Sequence, residues 1–212
     1  MKDVDVEYVS IINMNYLAHL SLAQPDSQSL TGNLMGDFMK GVRMEALPSC
    51  IQSGIENHRA VDRFTDHHPV VAELKPLFSE RYRRFAGIIV DISFDYFLTK
   101  HWSVFHALSL RKMLDNSYKG LLAGLEYMPP RMQNTVEQMA AQDWLSGYAS
   151  FEQVAFALDR VAQRIRFRNN FSAAGVEAEQ HYAALEQAFL QLYPDLQAHI
   201  QQLALEKTAG HV

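Results

Sequence analysis

Four acidic residues and a histidine stand where apolar side chains belong. In the segment 48–66, Ile51, Ile55, His58 and Asp62 fall at i, i+4, i+7 and i+11, which is one face of a helix. A stripe that begins with two isoleucines therefore continues as a histidine and an aspartate. The same spacing runs through Leu30, Leu34 and Asp37. In Ile88-Ile89-Val90-Asp91-Ile92-Ser93-Phe94-Asp95-Tyr96-Phe97-Leu98, apolar nearly all round, Asp91 and Asp95 lie one turn apart. An isolated ionised carboxylate in such surroundings costs several kcal/mol, and two side by side repel unless a cation intervenes. A divalent metal removes both objections. Carboxylates with an imidazole nitrogen suit Mn, Mg, Fe or Zn, and the lack of thiolates argues against a structural zinc site.

Each of these residues also has a purely structural explanation. His58 alone reads as a hydrogen-bonded core histidine. Asp62 can pair with Arg59 or Arg63, Asp66 with Arg63, and Asp37 can cap a neighbouring helix. Asp91 and Asp95 can meet the arginines of Arg81-Tyr82-Arg83-Arg84. His19 sits on a short apolar segment where packing is the ordinary role. His67-His68-Pro69 resembles a helix C-terminus, and His101-Trp102 closes the 86–101 segment either as a cap or as a proton donor. Cys50 lies near a helix start, with no Cys–His relay legible beside it. Gly32-Asn33-Leu34-Met35-Gly36 lacks the strand and spacing of a phosphate-binding loop.

The elements that must position these groups are helical throughout. Phe151, Val154, Ala155, Leu158, Val161, Ala162 and Ile165 step by threes and fours, as do Leu110 to Leu125 and Tyr182 to Tyr193, with Pro194 marking a boundary. Further helices are expected near 14–23, 29–40, 48–66, 76–85, 86–101, 130–142 and 195–206. Alternation of period two with hairpin turn chemistry is missing, and 10 Gly and 7 Pro in 212 residues are too few for a many-stranded sandwich. The expectation is a single compact all-α bundle over residues 14–207. Residues 1–13 read as an N-terminal extension or loose arm and 208–212 as a mobile tail. A net charge of −5 disfavours nucleic acid as a partner, no apolar run is long enough to span a membrane, and a single cysteine fits a reducing cytoplasm. Arginines cluster at Arg81, Arg83, Arg84 and at Arg160, Arg164, Arg166, Arg168, local positive patches on an acidic chain.

Several of these segments, in order, resemble the acyl carrier protein phosphodiesterase family. They are Met14-Asn15-Tyr16-Leu17-Ala18-His19-Leu20, Leu30-Thr31-Gly32-Asn33-Leu34-Met35-Gly36-Asp37-Phe38, His58-Arg59-Ala60-Val61-Asp62-Arg63-Phe64-Thr65-Asp66, the stretch from Asp91 to Trp102, and His181-Tyr182-Ala183-Ala184-Leu185-Glu186 with Tyr193-Pro194. The resemblance implies a hydrolase that removes 4′-phosphopantetheine from holo acyl carrier protein. It also implies a helical fold similar to the metal-dependent HD phosphohydrolases, with manganese the favoured cation. The adjacent His-Asp pair of those enzymes is missing from this sequence, so His58 and Asp62, four apart, take its place. On this reading Asp37, His58, Asp62 and Asp91 are the metal ligands and Arg59 a clamp on the phosphoryl oxygens. His19 or His101 would protonate the leaving serine oxygen, Asp66 and Asp95 would orient water or a ligating imidazole, and an arginine cluster would meet the acidic carrier. Two rivals stand beside it: a helical phosphohydrolase acting on nucleotides or another phosphodiester, and a metal-free helical adaptor for an acidic protein.

Overall fold

A computed structural model describes residues 16–147, 150–164 and 173–206. Among them are eleven α-helices and no strand, the all-α bundle expected. The expected arm 1–13 and tail 208–212 lie outside the described residues, as do Arg166 and Arg168 and the side chains of Arg160 and Arg164.

Helix α1 is Tyr16–Ser21 and α2 is Ser27–Met35, started by Asp26, whose carboxylate accepts from the amides of Gln28 and Ser29 at 3.0 Å each. Where the spacing suggests helix to residue 40, α2 instead tightens into a 3-10 turn, Gly36–Phe38, which carries Asp37. Helix α3, Ser49–His67, begins behind Pro48 and ends where His68 turns extended ahead of Pro69. The proline then opens a short helix α4, Pro69–Leu74. The helix expected at 76–85 is only two 3-10 turns, Lys75–Leu77 and Arg83–Phe85.

Helix α5, Ala86–Lys100, runs through the centre and buries ten of its fifteen residues. Helices α6 (Trp102–Phe105), α7 (Leu110–Ala123) and α8 (Pro130–Ala141) come next, then α9 (Phe151–Arg164), α10 (Ala174–Gln180) and α11 (Tyr182–Leu203). The boundary expected at Pro194 does not form, and α11 continues through it. The carbonyl deprived of its partner is that of Leu190, a residue 40% exposed, so water can take the place of the missing N–H.

The core is one cluster built from Leu17, Leu34, Ile51, Ile55, Ile89, Ile92, Phe97 and Phe189 among others. Helix α5 packs against α1, α9 and α11, while α11 also covers α3 and α4. The closest pairing is α2 on α3, made possible by two glycines. A Cβ on Gly32 would stand 2.3 Å from the Ile51 carbonyl oxygen and 2.9 Å from Gly54 Cα, backbone that cannot step aside. Gly32→Ala is therefore expected to lose about 2 kcal/mol in urea unfolding despite the better helix propensity of alanine. This crossing places the end of α2 against the middle of α3, where the histidine and the acids meet.

Candidate metal centre

Three elements converge. Helix α3 supplies His58 and Asp62 one turn apart, α1 supplies His19, and the 3-10 turn after α2 supplies Asp37. The Asp62 carboxylate lies between the two imidazoles: Oδ2 is 3.1 Å from His58 Nε2, and Oδ1 is 3.2 Å from His19 Nε2 without hydrogen-bond alignment. The two rings stack with centroids 3.8 Å apart and 19° between planes. One ligand-type atom from each of His19, His58 and Asp62 falls within 4.8 Å of the others. Asp37 Oδ1 approaches the same His58 Nε2 at 3.7 Å.

Outer contacts fix the second histidine. His58 Nδ1 donates to the Asn33 carbonyl at 2.8 Å, in the last turn of α2 where helix carbonyls lack their usual partner, so Nε2 faces the carboxylates. Behind the ring is Gly36, on which a Cβ would sit 2.1 Å from His58 Cδ2. Gly36→Ala should thus push the imidazole out of place and raise the dissociation constant for Mn2+ about tenfold, read by calorimetry, while the helical circular dichroism stays that of the parent.

The charges are set by burial and by each other. Burial and the neighbouring His58 lower the His19 pKa to about 4, so its ring is neutral at pH 7. Burial works against ionisation of Asp62, yet the two imidazoles beside it hold it well below the usual carboxylate range. Burial would also lower His58, but the Asp62 and Asp37 carboxylates outweigh it and the pKa rises. Asp37 is pushed up to about 7, mainly by burial. Both ring nitrogens of His19 and Oδ2 of Asp37 are buried without a hydrogen-bond partner. Orphaned donor atoms around an ionised carboxylate fit a divalent cation, and the N and O donor set suits Mn, Fe or Zn.

The sequence model for acyl carrier protein phosphodiesterase matches residues 14–196, which contain every residue of this centre. The chain belongs to that family. Proteins named acyl carrier protein phosphodiesterase are similar to it along most of their length. That of Escherichia coli O157:H7 is 34% identical over 193 residues, 91% of this chain and 100% of that protein. That of Photorhabdus laumondii is 37% identical over 182 residues, 85% and 92% of the two, and that of Yersinia pestis 35% over 189 residues, 89% and 98%. No solved structure matches the chain.

Of the residues expected in the family's site, the fold gathers some and disperses others. His19, expected as a proton donor, stands instead among the ligand-type atoms, and with a pKa near 4 it carries no imidazolium proton to give. Asp91 faces a cavity of about 20 Å3 beside Thr65, Phe94, Phe189 and Tyr193, room for a single water. Burial, then the charges of Asp62, Asp66 and Asp37, raise its pKa to about 8. Asp95 does not reach an imidazole: its oxygens accept from the amides of Leu17 at 3.3 Å and Ala18 at 3.1 Å, at the start of α1. Asp66 is exposed and acts on Asp91 by charge.

His101 is engaged elsewhere. Its Nε2 lies 2.6 Å from Glu186 Oε1, about 15 Å along the α5 axis from Asp91. Arg59 points to solvent and pairs with Glu56 at 2.6 Å, one turn back on α3. Cys50 is exposed and free.

Two residues with a part here were overlooked at the sequence level, Asn33 and Gly36. Asn33 does carry a signal, a polar residue on the Leu30–Leu34–Asp37 stripe, four before the aspartate.

Proposed function

We propose that this chain hydrolyses the serine–phosphopantetheine phosphodiester of holo acyl carrier protein, yielding the apo protein and 4′-phosphopantetheine, with manganese as the cofactor. The observation that carries the proposal is the convergence of His19, His58 and Asp62 with orphaned donor atoms, within a family match that spans most of the chain.

His19, His58 and Asp62 would hold the cation, with Asp37 beside His58. What a divalent cation supplies at such a site is Lewis acidity, which acidifies water and neutralises charge building on phosphoryl oxygens. The protein's share is to keep the donors ready. Asp62 remains ionised at any working pH, His19 remains unprotonated, and the Asn33 carbonyl holds the His58 proton at Nδ1. The departing serine oxygen needs a proton, and Asp91 still carries one at neutrality, on a cavity walled by apolar side chains. We assign it the role of general acid in place of His101.

The carrier is a protein, so part of its recognition lies outside the centre. Arg81, Arg83 and Arg84 are exposed just ahead of α5, roughly 10 Å along that axis from Asp91. A positive patch there suits an acidic carrier. Raising NaCl from low to moderate concentration should increase KM for the carrier roughly fivefold with kcat unchanged. No helix of the described residues is long and apolar enough to cross a membrane.

The decisive assay incubates the Mn2+-supplemented protein with holo carrier protein and follows release of phosphopantetheine by mass spectrometry, beside a panel of nucleotide diesters. Release from the carrier alone is expected. Turnover of nucleotides without the carrier would replace this reading with that of a nucleotide phosphohydrolase, and absence of bound metal with no turnover would favour an adaptor.

A further inference from the structure

The described chain does not end at α11. Ala204 takes a left-handed conformation, φ 46° and ψ 41°, while its N–H caps the Ile200 carbonyl at 3.1 Å. A residue with a Cβ visits that region at a cost, so something must hold the chain reversal it starts. Glu206 lies just past the reversal, and its side chain reaches α2. Its Oε1 accepts from Ser29 Oγ at 2.6 Å and from Asn33 Nδ2 at 2.9 Å. The family match stops at residue 196, ten residues earlier, so this clasp lies beyond what the match covers.

Asn33 is fully buried and every polar atom of its amide is used. Nδ2 also donates to the Ser29 carbonyl at 3.1 Å, and Oδ1 accepts from Asn57 Nδ2 at 2.9 Å. Its own carbonyl receives His58 Nδ1. Polar contacts therefore lead from the half-buried Glu206 to the Asn33 side chain, and from the backbone carbonyl of the same residue to the imidazole at the centre.

We infer that Glu206 is a positioning residue for His58, acting through Asn33: its carboxylate anchors the amide whose backbone carbonyl sets the imidazole's direction. Without that anchor, the buried Asn33 Nδ2 loses its Glu206 acceptor, and the last turn of α2 is free to rotate its carbonyl away from Nδ1. The inference rests on the proposed metal site for its meaning, but it is read first in metal-free protein.

The test compares Glu206→Ala, Glu206→Asp and Glu206→Gln in the full chain. The first readout is the exchange with water of the His58 Nδ1 proton, followed by NMR in chelator-treated protein. The second is the dissociation constant for Mn2+ by calorimetry. Glu206→Ala should speed proton exchange and weaken Mn2+ about tenfold each, the lower end for outer contacts of a metal ligand. Glu206→Asp, one methylene short of Asn33, should behave alike and carries the comparison if the alanine variant fails to fold. Glu206→Gln keeps an oxygen acceptor and should restore both values. Exchange and affinity within twofold of the parent in Glu206→Ala and Glu206→Asp overturn the inference, as does a glutamine variant as impaired as alanine. A parent protein that binds no Mn2+ would instead overturn the metal site, while the proton-exchange comparison would still judge Glu206.

Discussion

Asp62→Ala should abolish stoichiometric Mn2+ binding and lower kcat/KM on holo carrier protein by at least about 1,000-fold, since a metal contributes several kcal/mol and each 1.4 kcal/mol is tenfold. The carboxylate touches both imidazoles, at 3.2 Å from His19 and 3.1 Å from His58, and its low pKa makes it the fixed negative charge of the centre. Asp62→Asn retains shape but loses that charge, and should bind Mn2+ nearly as poorly. Neither variant should unfold, because the side chain is 29% exposed and its packing is modest. Removing Asp62 also removes the second-largest cause of the high Asp91 pKa, after burial, so the NMR titration of Asp91 should move down in the variant. Retention of both bound metal and turnover in Asp62→Ala would overturn the assignment of this centre.

How much of this was legible in the sequence depends on the range of the interaction. The helices of α3, α5 and α8 match their expected spans to within a residue or two, because apolar spacing and flanking prolines act over a few residues. The pairing of His58 with Asp62 comes from one helical turn. Asp37 also falls on its stripe. His19 could not be placed, since nothing in its own short segment says that α1 lies against α3. Asp95 shows the converse error: a carboxylate on an apolar helix suggests a role in chemistry, while its partners are backbone amides 77 and 78 residues away, invisible to any local pattern. His101 meets Glu186, 85 residues away, and is hidden in the same way, whereas Glu56 stands three residues before Arg59 on α3, a pairing within reach of a local pattern. Glu206 lies in a segment that reads simply as the last helix; its fold-back depends on Ala204, whose left-handed turn no residue preference announces.

The two acids of α5 provide the sharpest separation of structure from chemistry, because they differ by one turn and should respond oppositely. Asp95 is wholly buried, and its oxygens satisfy two otherwise orphaned amides at the start of the helix that carries His19. Asp95→Ala strands both donors and should cost about 3 kcal/mol in urea unfolding, with Mn2+ affinity falling as α1 shifts. Asp95→Asn offers one acceptor and turns an NH2 on the other amide, so it should recover only part of that loss. Asp91 has a different balance. Burial and the charges of Asp62, Asp66 and Asp37 raise its pKa from 3.8 to about 8, so the folded protein holds a proton that the unfolded chain gives up. That group's stabilising contribution is complete below pH 4 and is lost as pH rises toward 8. Asp91→Asn carries no such slope. In chelator-treated protein its stability relative to the parent should therefore climb across pH 4 to 8 and level off above, while its turnover falls about 100-fold for want of an acid. A variant that is more stable and less active at alkaline pH marks Asp91 as a catalytic group held at energetic cost; parallel losses in both measurements would place it with Asp95 as part of the scaffold.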